Sequence, residues 1–122
     1  YAELLRDKME KYDSKVFLVN TGWIGGSPSS GANRISISNT RKIIDSILNQ
    51  NINNENFNKD EIFGLMIPEK IEGIDPEILN PINAWSDKEF FASESQKLSD
   101  LFKQNFTRYG DVVNHLEMGG PL

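Results

Sequence analysis

Residues 15–49 have the sequence KVFLVNTGWIGGSPSSGANRISISNTRKIIDSILN. The apolar residues in this stretch follow three different patterns in succession. The stretch Lys15–Asn20 contains a continuous apolar run, which predicts a strand with both faces covered. After a loop rich in Gly, Ser and Pro, isoleucines alternate with polar residues over Arg34–Ser38, the period of a half-buried strand. Over Asn39–Asn49 the apolar residues change to helical spacing, and Ser38 or Asn39 is expected to cap this helix.

The sequence downstream predicts one more strand and one long helix. Gln50–Asp60 is dominated by asparagine and is interpreted as a surface loop, whereas the apolar run Ile62–Ile67, ended by a proline, predicts a strand. Ser86 and Glu89 have the spacing of a capping box, so a long helix is predicted over 86–109. Its expected buried stripe consists of Phe91, Leu98, Leu101, Phe102, Phe106 and Tyr109. The tail 118–122 is expected to be ordered only if it docks on another part of the protein.

The N-terminus is in helical pattern from the first residue, since Leu5, Met9 and Tyr12 form one stripe and no capping residue precedes them. An uncapped helix at Tyr1 favours a chain cut from a longer protein; a processed terminus is the alternative. The element order predicts an α/β layer architecture. The chain contains no repeat or linker, so 1–122 is interpreted as a single segment whose few elements leave the strands short of covering neighbours.

Composition excludes several functional classes. The 122 residues include 13 basic and 18 acidic side chains, a net charge of −5, which gives no general attraction for nucleic acid or anionic membranes. No apolar run approaches the roughly 20 residues that span a bilayer, so no membrane partner is expected. The chain has no cysteine, which excludes a disulfide framework and a thiolate zinc site.

The sequence contains no complete catalytic or metal-binding motif. Gly26 and Gly31 have the separation of a phosphate-binding loop, but Ala32 and Asn33 follow where lysine and serine or threonine are required. His115 is the only histidine, which is too few for a zinc site. The acidic residues between positions 69 and 77 are interpreted as a solvated face. We therefore predict no catalytic residue and no metal ligand in this segment.

One polar feature remains at the end of the glycine-rich loop. Arg34 opens the predicted second strand, and Thr40 lies where the next helix starts. Ligands of open α/β sheets bind at such strand ends, and arginine there stacks on planar rings or pairs with phosphates. From the residues alone, a surface arginine and a threonine at a helix start are the preferred interpretation.

Several short motifs follow one another along the chain in a distinctive order. They include Asn20-Thr21-Gly22-Trp23 with Gly25-Gly26, and Arg34-Ile35-Ser36-Ile37 followed by Thr40-Arg41. Further segments of the set are Tyr1–Leu5, Phe63–Pro68, Ile78–Trp85 and Gly120-Pro121. This ordered set resembles ATP-dependent phosphoenolpyruvate carboxykinase. The resemblance covers essentially the whole chain and implies the C-terminal quarter of the enzyme, within its nucleotide-binding lobe. An alternative left open is a stand-alone protein-interaction module without catalysis.

The resemblance also implies a function for the complete enzyme. The family converts oxaloacetate and ATP to phosphoenolpyruvate, ADP and carbon dioxide in gluconeogenesis, in the cytoplasm, with magnesium and manganese ions. Its Arg-Ile pair and downstream threonine line the adenine end of the ATP site, which implies nucleotide binding by Arg34, Ile35 and Thr40. Its phosphate-loop lysine, metal ligands and oxaloacetate-binding arginine lie upstream, so the isolated segment is expected to be inactive and to need the remainder of the parent enzyme as its partner.

Some positions depart from the family pattern. Asn33 and Ser38 stand where family members often have lysine, which puts in doubt local electrostatic help to the phosphates. Ile82 and Ala84 replace the arginine and threonine of the relatives' Asn-Pro-Arg-Asn-Thr-Trp segment, so polar contacts made there by relatives are expected to be missing.

Overall fold

The computed structural model describes the backbone of residues 2–122 and the side chains in that range except those of residues 2, 53, 54 and 112. The described residues form four α-helices, α1 (Ala2–Tyr12), α2 (Ile37–Leu48), α3 (Pro81–Ala84) and α4 (Lys88–Phe106). They also form four short strands, β1 (Trp23–Ile24), β2 (Asn33–Arg34), β3 (Phe57–Lys59) and β4 (Met66–Pro68). Short 3-10 helices lie between these elements at Pro28–Ser30, Asn51–Asn54 and Pro76–Ile78, and two more follow α4 at Thr107–Tyr109 and Asp111–Gly119. The chain is therefore mixed α/β, as predicted; the predicted helix start at Tyr1 lies outside the described residues.

The strands are arranged as two separate antiparallel pairs, β1 with β2 and β3 with β4. In the second pair Phe57, Asn58 and Lys59 face Pro68, Ile67 and Met66. The turn between them is held locally, because the Asp60 carboxylate accepts hydrogen bonds from the amides of Ile62 and Phe63. The predicted strand over Ile62–Ile67 is thus wrong at its start, since residues 61–63 form this turn.

The prediction of a strand over Lys15–Asn20 is wrong: these residues, all within the described range, form no strand. Their side chains alternate in burial, with Phe17 and Val19 half-buried while Val16 and Leu18 are exposed, Leu18 to 79%. An extended stretch forms a strand only when a neighbouring strand pairs with its backbone N–H and C=O groups. The element order of the described residues provides no strand beside it, so only one face is covered.

The prediction of a strand over Arg34–Ser38 is right only at its start, because Arg34 lies in β2 but α2 begins at Ile37. Ser36 is its cap, and the Ser36 hydroxyl accepts a hydrogen bond of 3.1 Å from the amide of Asn39. The expectation that Ser38 or Asn39 caps the helix is wrong, since both lie inside it. A satisfied cap stabilises a helix start by about 1 kcal/mol, which favours the helix over the period-two pattern of the isoleucines.

The apolar core is small and is formed mainly by connecting segments. Ile52, Ile71 and Ile74 are buried, and half-buried side chains pack around them from Phe17, Ile43, Ile47, Phe57, Ile78 and Leu79. Lys42 ties α2 to this centre by donating a 3.0 Å hydrogen bond to the carbonyl of Gly73. The interpretation of Gln50–Asp60 as a mere surface loop is wrong, because it contributes both Ile52 and β3.

The long helix predicted from the sequence is present as α4, but its cap and its packed face differ from the prediction. Asp87 is the cap in place of Ser86 and accepts from the amide of Phe90 at 2.8 Å. Only Phe91 and Phe106 of the predicted stripe are half-buried, whereas Ser99 is fully buried. Leu98, Leu101, Phe102 and Tyr109 are exposed, so the packed side runs through small serines. None of the helices in the described part of the chain is long and apolar enough to cross a bilayer.

The C-terminal tail docks on another part of the chain, which is the condition under which it is expected to be ordered. The amide of Leu122 donates a 2.7 Å hydrogen bond to the carbonyl of Ile62, in the turn between β3 and β4. Lys103 of α4 donates to the Leu122 carbonyl at 2.8 Å. The tail thereby joins α4 to the second strand pair, although Met118 before it is exposed.

Candidate functional site

The first strand pair presents the residues that the resemblance singles out. Trp23 faces Arg34 and Ile24 faces Asn33 in antiparallel register. The amide of Ile35 donates a 2.9 Å hydrogen bond to the carbonyl of Gly22, which extends the ladder by one step. The glycine-rich loop between the strands therefore closes a hairpin whose open end carries Arg34 beside Trp23.

Asn20 fixes the entry to this hairpin. Its side-chain oxygen accepts from the amide of Gly22 at 2.8 Å, and its side-chain nitrogen donates to the carbonyl of Trp23 at 3.2 Å. An asparagine that binds the backbone two and three residues ahead forms a local turn without help from distant elements. The position of the Trp23 backbone is thus set by Asn20.

Arg34 is exposed and is held at two points. Its guanidinium carbon lies over the Trp23 ring, 6.0 Å from the ring centroid. Its Nη2 donates a hydrogen bond of 3.4 Å to the carbonyl of Thr21. Guanidinium over an indole face is a cation–π contact, and the planar group keeps further N–H donors for an added partner.

Ile35 and Thr40 follow Arg34 across the junction from β2 to α2. Ile35 is half-buried and directly precedes the cap residue Ser36. Thr40 is half-buried in the first turn of α2, where its amide donates a 3.0 Å hydrogen bond to the carbonyl of Ser36. The junction thus combines a cationic group, an apolar side chain and a hydroxyl at the electropositive end of a helix.

The glycine-rich loop is anchored from the other side by α3. Gly25 adopts a positive φ of 77°, and a Cβ built on it would lie 2.5 Å from the carbonyl oxygen of Ala84. The loop backbone therefore rests directly against the end of α3. Only glycine allows so close an approach.

The described residues do not offer a metal centre. They contain no group of three or more His, Cys, Asp or Glu side chains placed to hold an ion. His115 is exposed. The four acidic residues Glu69, Glu72, Asp75 and Glu77 are exposed as well, and Asp75 caps the 3-10 helix Pro76–Ile78 by accepting from the amide of Glu77. This acidic stretch is therefore a solvated face, in agreement with its interpretation from the sequence.

A shallow polar cleft of about 210 Å³ lies elsewhere along α2, away from the hairpin. Its lining residues are Lys42, Asp45, Ser46, Asn49, Asn51, Glu55 and Glu72. None of the three predicted site residues lies in that lining, so the cleft and the hairpin are separate surface features. The hairpin is the better candidate for a ligand site, because it holds the Arg34 guanidinium in a defined orientation.

Sequence reasoning missed the roles of Trp23 and Asn20 at this site. Two-residue strands have no periodicity to detect, so the sequence pattern predicts only a loop there. The available signal was the pair Trp-Ile before and Asn-Arg after a loop rich in Gly, Ser and Pro, the arrangement of a short hairpin.

Comparison with known proteins adds the family. The sequence profile named phosphoenolpyruvate carboxykinase matches residues 1–77, which include the whole hairpin and α2. Proteins named phosphoenolpyruvate carboxykinase (ATP) from Campylobacter jejuni subsp. doylei, Caldanaerobacter subterraneus and Staphylococcus aureus are 48%, 44% and 42% identical to this chain. These alignments cover 99%, 99% and 100% of this chain, but only 23% of the length of each relative. The chain therefore belongs to the phosphoenolpyruvate carboxykinase family.

Proposed function

We propose that this chain is part of the nucleotide-binding lobe of an ATP-dependent phosphoenolpyruvate carboxykinase. In this proposal Arg34, Ile35 and Thr40 form part of the pocket for the adenine side of ATP. The proposal rests chiefly on the exposed guanidinium of Arg34, which contacts both the Trp23 ring and the Thr21 carbonyl of the hairpin. A guanidinium so held suits a planar base or a phosphate oxygen, because it offers both a flat face and several donors.

Each residue has a distinct task in the proposed pocket. Arg34 supplies the stacking or hydrogen-bonding group, and the half-buried Ile35 supplies apolar contact area beside it. Thr40 offers a hydroxyl within the first turn of α2, next to the Ser36 cap. A nucleotide pocket of this kind combines apolar walls with a few placed polar groups.

In the whole enzyme we propose the conversion of oxaloacetate and ATP to phosphoenolpyruvate, ADP and carbon dioxide, in the cytoplasm and as a step of gluconeogenesis. Phosphoryl transfer is accelerated by positioning and by neutralising charge on the phosphates. The magnesium and manganese sites and the groups that bind oxaloacetate are assigned to parts of the longer enzyme outside this sequence. This segment contributes nucleotide positioning and packing for its lobe.

The exposed apolar surfaces support the proposal that the segment packs against the rest of a larger enzyme. Val16 and Leu18 on the extended stretch, and Leu98 and Leu101 on α4, are all exposed. Contact with the rest of a larger enzyme would remove these side chains from water, which is favourable. The alternative of a stand-alone interaction module is not favoured, because relatives named for the enzyme align over 99% or more of the chain.

Replacing Arg34 by alanine in the full-length enzyme is expected to raise the KM for ATP roughly 5- to 30-fold. A stacked or hydrogen-bonded arginine contributes about 1–2 kcal/mol of binding, and each 1.4 kcal/mol is tenfold. The KM for oxaloacetate is expected to change less than twofold. Steady-state kinetics with each substrate varied in turn measures both values.

Arg6→Ala is the matched control, because Arg6 is also exposed but lies on α1, outside the hairpin. It removes the same charge and is expected to leave both KM values unchanged. If Arg34→Ala and Arg6→Ala behave alike, the nucleotide-binding role of Arg34 is refuted.

The isolated 122-residue chain is expected to form no phosphoenolpyruvate from ATP and oxaloacetate with manganese. The sequence lacks a complete phosphate-binding loop, and the described residues hold no metal-binding cluster, so groups needed for phosphoryl transfer are missing. A coupled assay on the purified chain tests this, with a mock purification as the baseline. Turnover above that baseline would contradict the assignment of catalysis to the remainder of the enzyme.

A further inference from the structure

Trp23 is the one aromatic ring in contact with the proposed nucleotide-binding arginine among the ring contacts of the described residues. The two residues face each other in the β1–β2 register, and the guanidinium lies over the indole. Trp23 is 44% exposed, so its ring is not enclosed in the apolar core of Ile52, Ile71 and Ile74. Its contact with Arg34 is therefore a surface contact that needs a reason other than core packing.

Arg34 requires such a contact if it is to be ready for a ligand. A free arginine side chain samples many rotamers, and fixing them costs conformational entropy. The hydrogen bond from Arg34 to the Thr21 carbonyl is long, at 3.4 Å, so by itself it restrains the side chain weakly. The indole face supplies the second restraint.

Trp23 is itself fixed through its backbone. Asn20 donates to the Trp23 carbonyl at 3.2 Å and accepts from the Gly22 amide at 2.8 Å. The neighbouring ladder bond from Ile35 to the Gly22 carbonyl, of 2.9 Å, joins the same turn to the strand of Arg34. The support therefore runs from Asn20 through the turn to the indole, and from the indole to the guanidinium.

We propose that Trp23 is a positioning residue for ATP binding, which holds the Arg34 guanidinium in the orientation that receives the nucleotide. The inference rests on the proposed function of Arg34. Trp23 acts through Arg34. Because the indole already restrains the guanidinium, less side-chain ordering has to occur when ATP binds.

The test uses the full-length enzyme with the variants Trp23→Leu, Trp23→Met and Trp23→Phe, alone and combined with Arg34→Ala. Loss of the aromatic face is expected to raise the KM for ATP about three- to fivefold in the leucine and methionine variants. The kcat at saturating ATP and the KM for oxaloacetate are expected to change less than twofold. Trp23→Phe keeps an aromatic face, so it is expected to raise the KM for ATP by at most half as much as the leucine and methionine variants do.

The combined variants separate positioning from a general structural effect. If Trp23 acts through Arg34, Trp23→Leu adds no further increase in the KM for ATP once Arg34 is alanine. Thermal denaturation of each protein shows whether it is folded, and the methionine variant replaces the leucine variant if the latter is not.

The possible failures are distinguishable. If Arg34→Ala itself leaves the KM for ATP unchanged, the proposed function fails and the inference falls with it. If Arg34→Ala has its expected effect but neither Trp23→Leu nor Trp23→Met raises the KM for ATP, the positioning role is overturned while the proposed function stands. An increase that persists in the Arg34→Ala background, or a kcat loss equal to the KM change, also overturns it.

Discussion

Ile71→Ala is expected to lower the free energy of unfolding of this chain by about 2–5 kcal/mol, the usual cost of truncating a buried isoleucine to alanine. Ile71 is 3% exposed and is one of the three buried apolar side chains of the core, with Ile52 and Ile74. Small domains have only about 5–15 kcal/mol of stability, so this loss is a large share of the total. The midpoint of urea unfolding, followed by circular dichroism at equal protein concentration, measures the effect.

Ile37→Ala is the matched control for that experiment. It makes the same substitution at the first residue of α2, where the side chain is 73% exposed. Surface substitutions away from special features usually change stability by within about 0.5 kcal/mol. Equal shifts for Ile71→Ala and Ile37→Ala would mean that Ile71 does not lie in the core described above. If Ile71→Ala is already unfolded without urea, Ile71→Val, with an expected loss of about 0.5–1.5 kcal/mol, gives the measurable value.

Gly25→Ala is expected to destabilise the chain by roughly 1–3 kcal/mol more than Gly31→Ala, the usual cost of overpacking. The two glycines have nearly equal φ values, 77° and 78°, so the strain of placing alanine in that conformation is common to both. A Cβ at Gly25 would lie 2.5 Å from the Ala84 carbonyl oxygen, whereas a Cβ at Gly31 meets nothing within 4 Å. The difference between the variants therefore isolates the collision with α3.

Both glycine variants are compared by urea unfolding of the chain, with each difference referred to the unmodified protein. In the full-length enzyme, Gly25→Ala is also expected to raise the KM for ATP more than Gly31→Ala does, because a displaced loop moves Trp23. Equal unfolding midpoints for the two variants would contradict the close packing of the loop against α3.

The sequence predicts elements well where several local signals agree. The helix α4 is identified from the capping box of Ser86 and Glu89 and from the helical spacing that follows, and the structure moves the cap to Asp87 and the packed face to the side of Ser99. Predictions fail where apolar spacing alone is used. Ile35 and Ile37 have the period of a strand, but the Ser36 hydroxyl satisfies a helix amide and starts α2 between them.

The burial of a side chain is harder to predict than the presence of a helix, since burial depends on which other parts of the protein cover that side chain. Ile52 stands among asparagines, with no sequence signal of a core position, yet it is buried against segments distant in sequence. Leu98 and Leu101 have core spacing on α4, but the face that packs is the one with Ser99. The apolar run at residues 16–19 predicts covered faces, and the described part of the chain covers only one of them.

For the candidate site, the identities of Arg34, Ile35 and Thr40 came from the resemblance, and their role remains a prediction. The support beneath Arg34 could not be inferred from the sequence, because it depends on the cross-strand register that places Trp23 opposite Arg34. Register is set by the turn and the ladder bonds, and the two-residue strands give no pattern from which to infer it.

The hydrogen bond between Leu122 and Ile62 has a consequence for how the protein is made. The turn between β3 and β4 receives its local restraint from Asp60 as soon as that stretch has left the ribosome. Its second restraint has to wait until residue 122 has been translated, which takes several seconds at roughly 5–20 residues per second. During that interval the carbonyl of Ile62 in the nascent chain is left to bond with water.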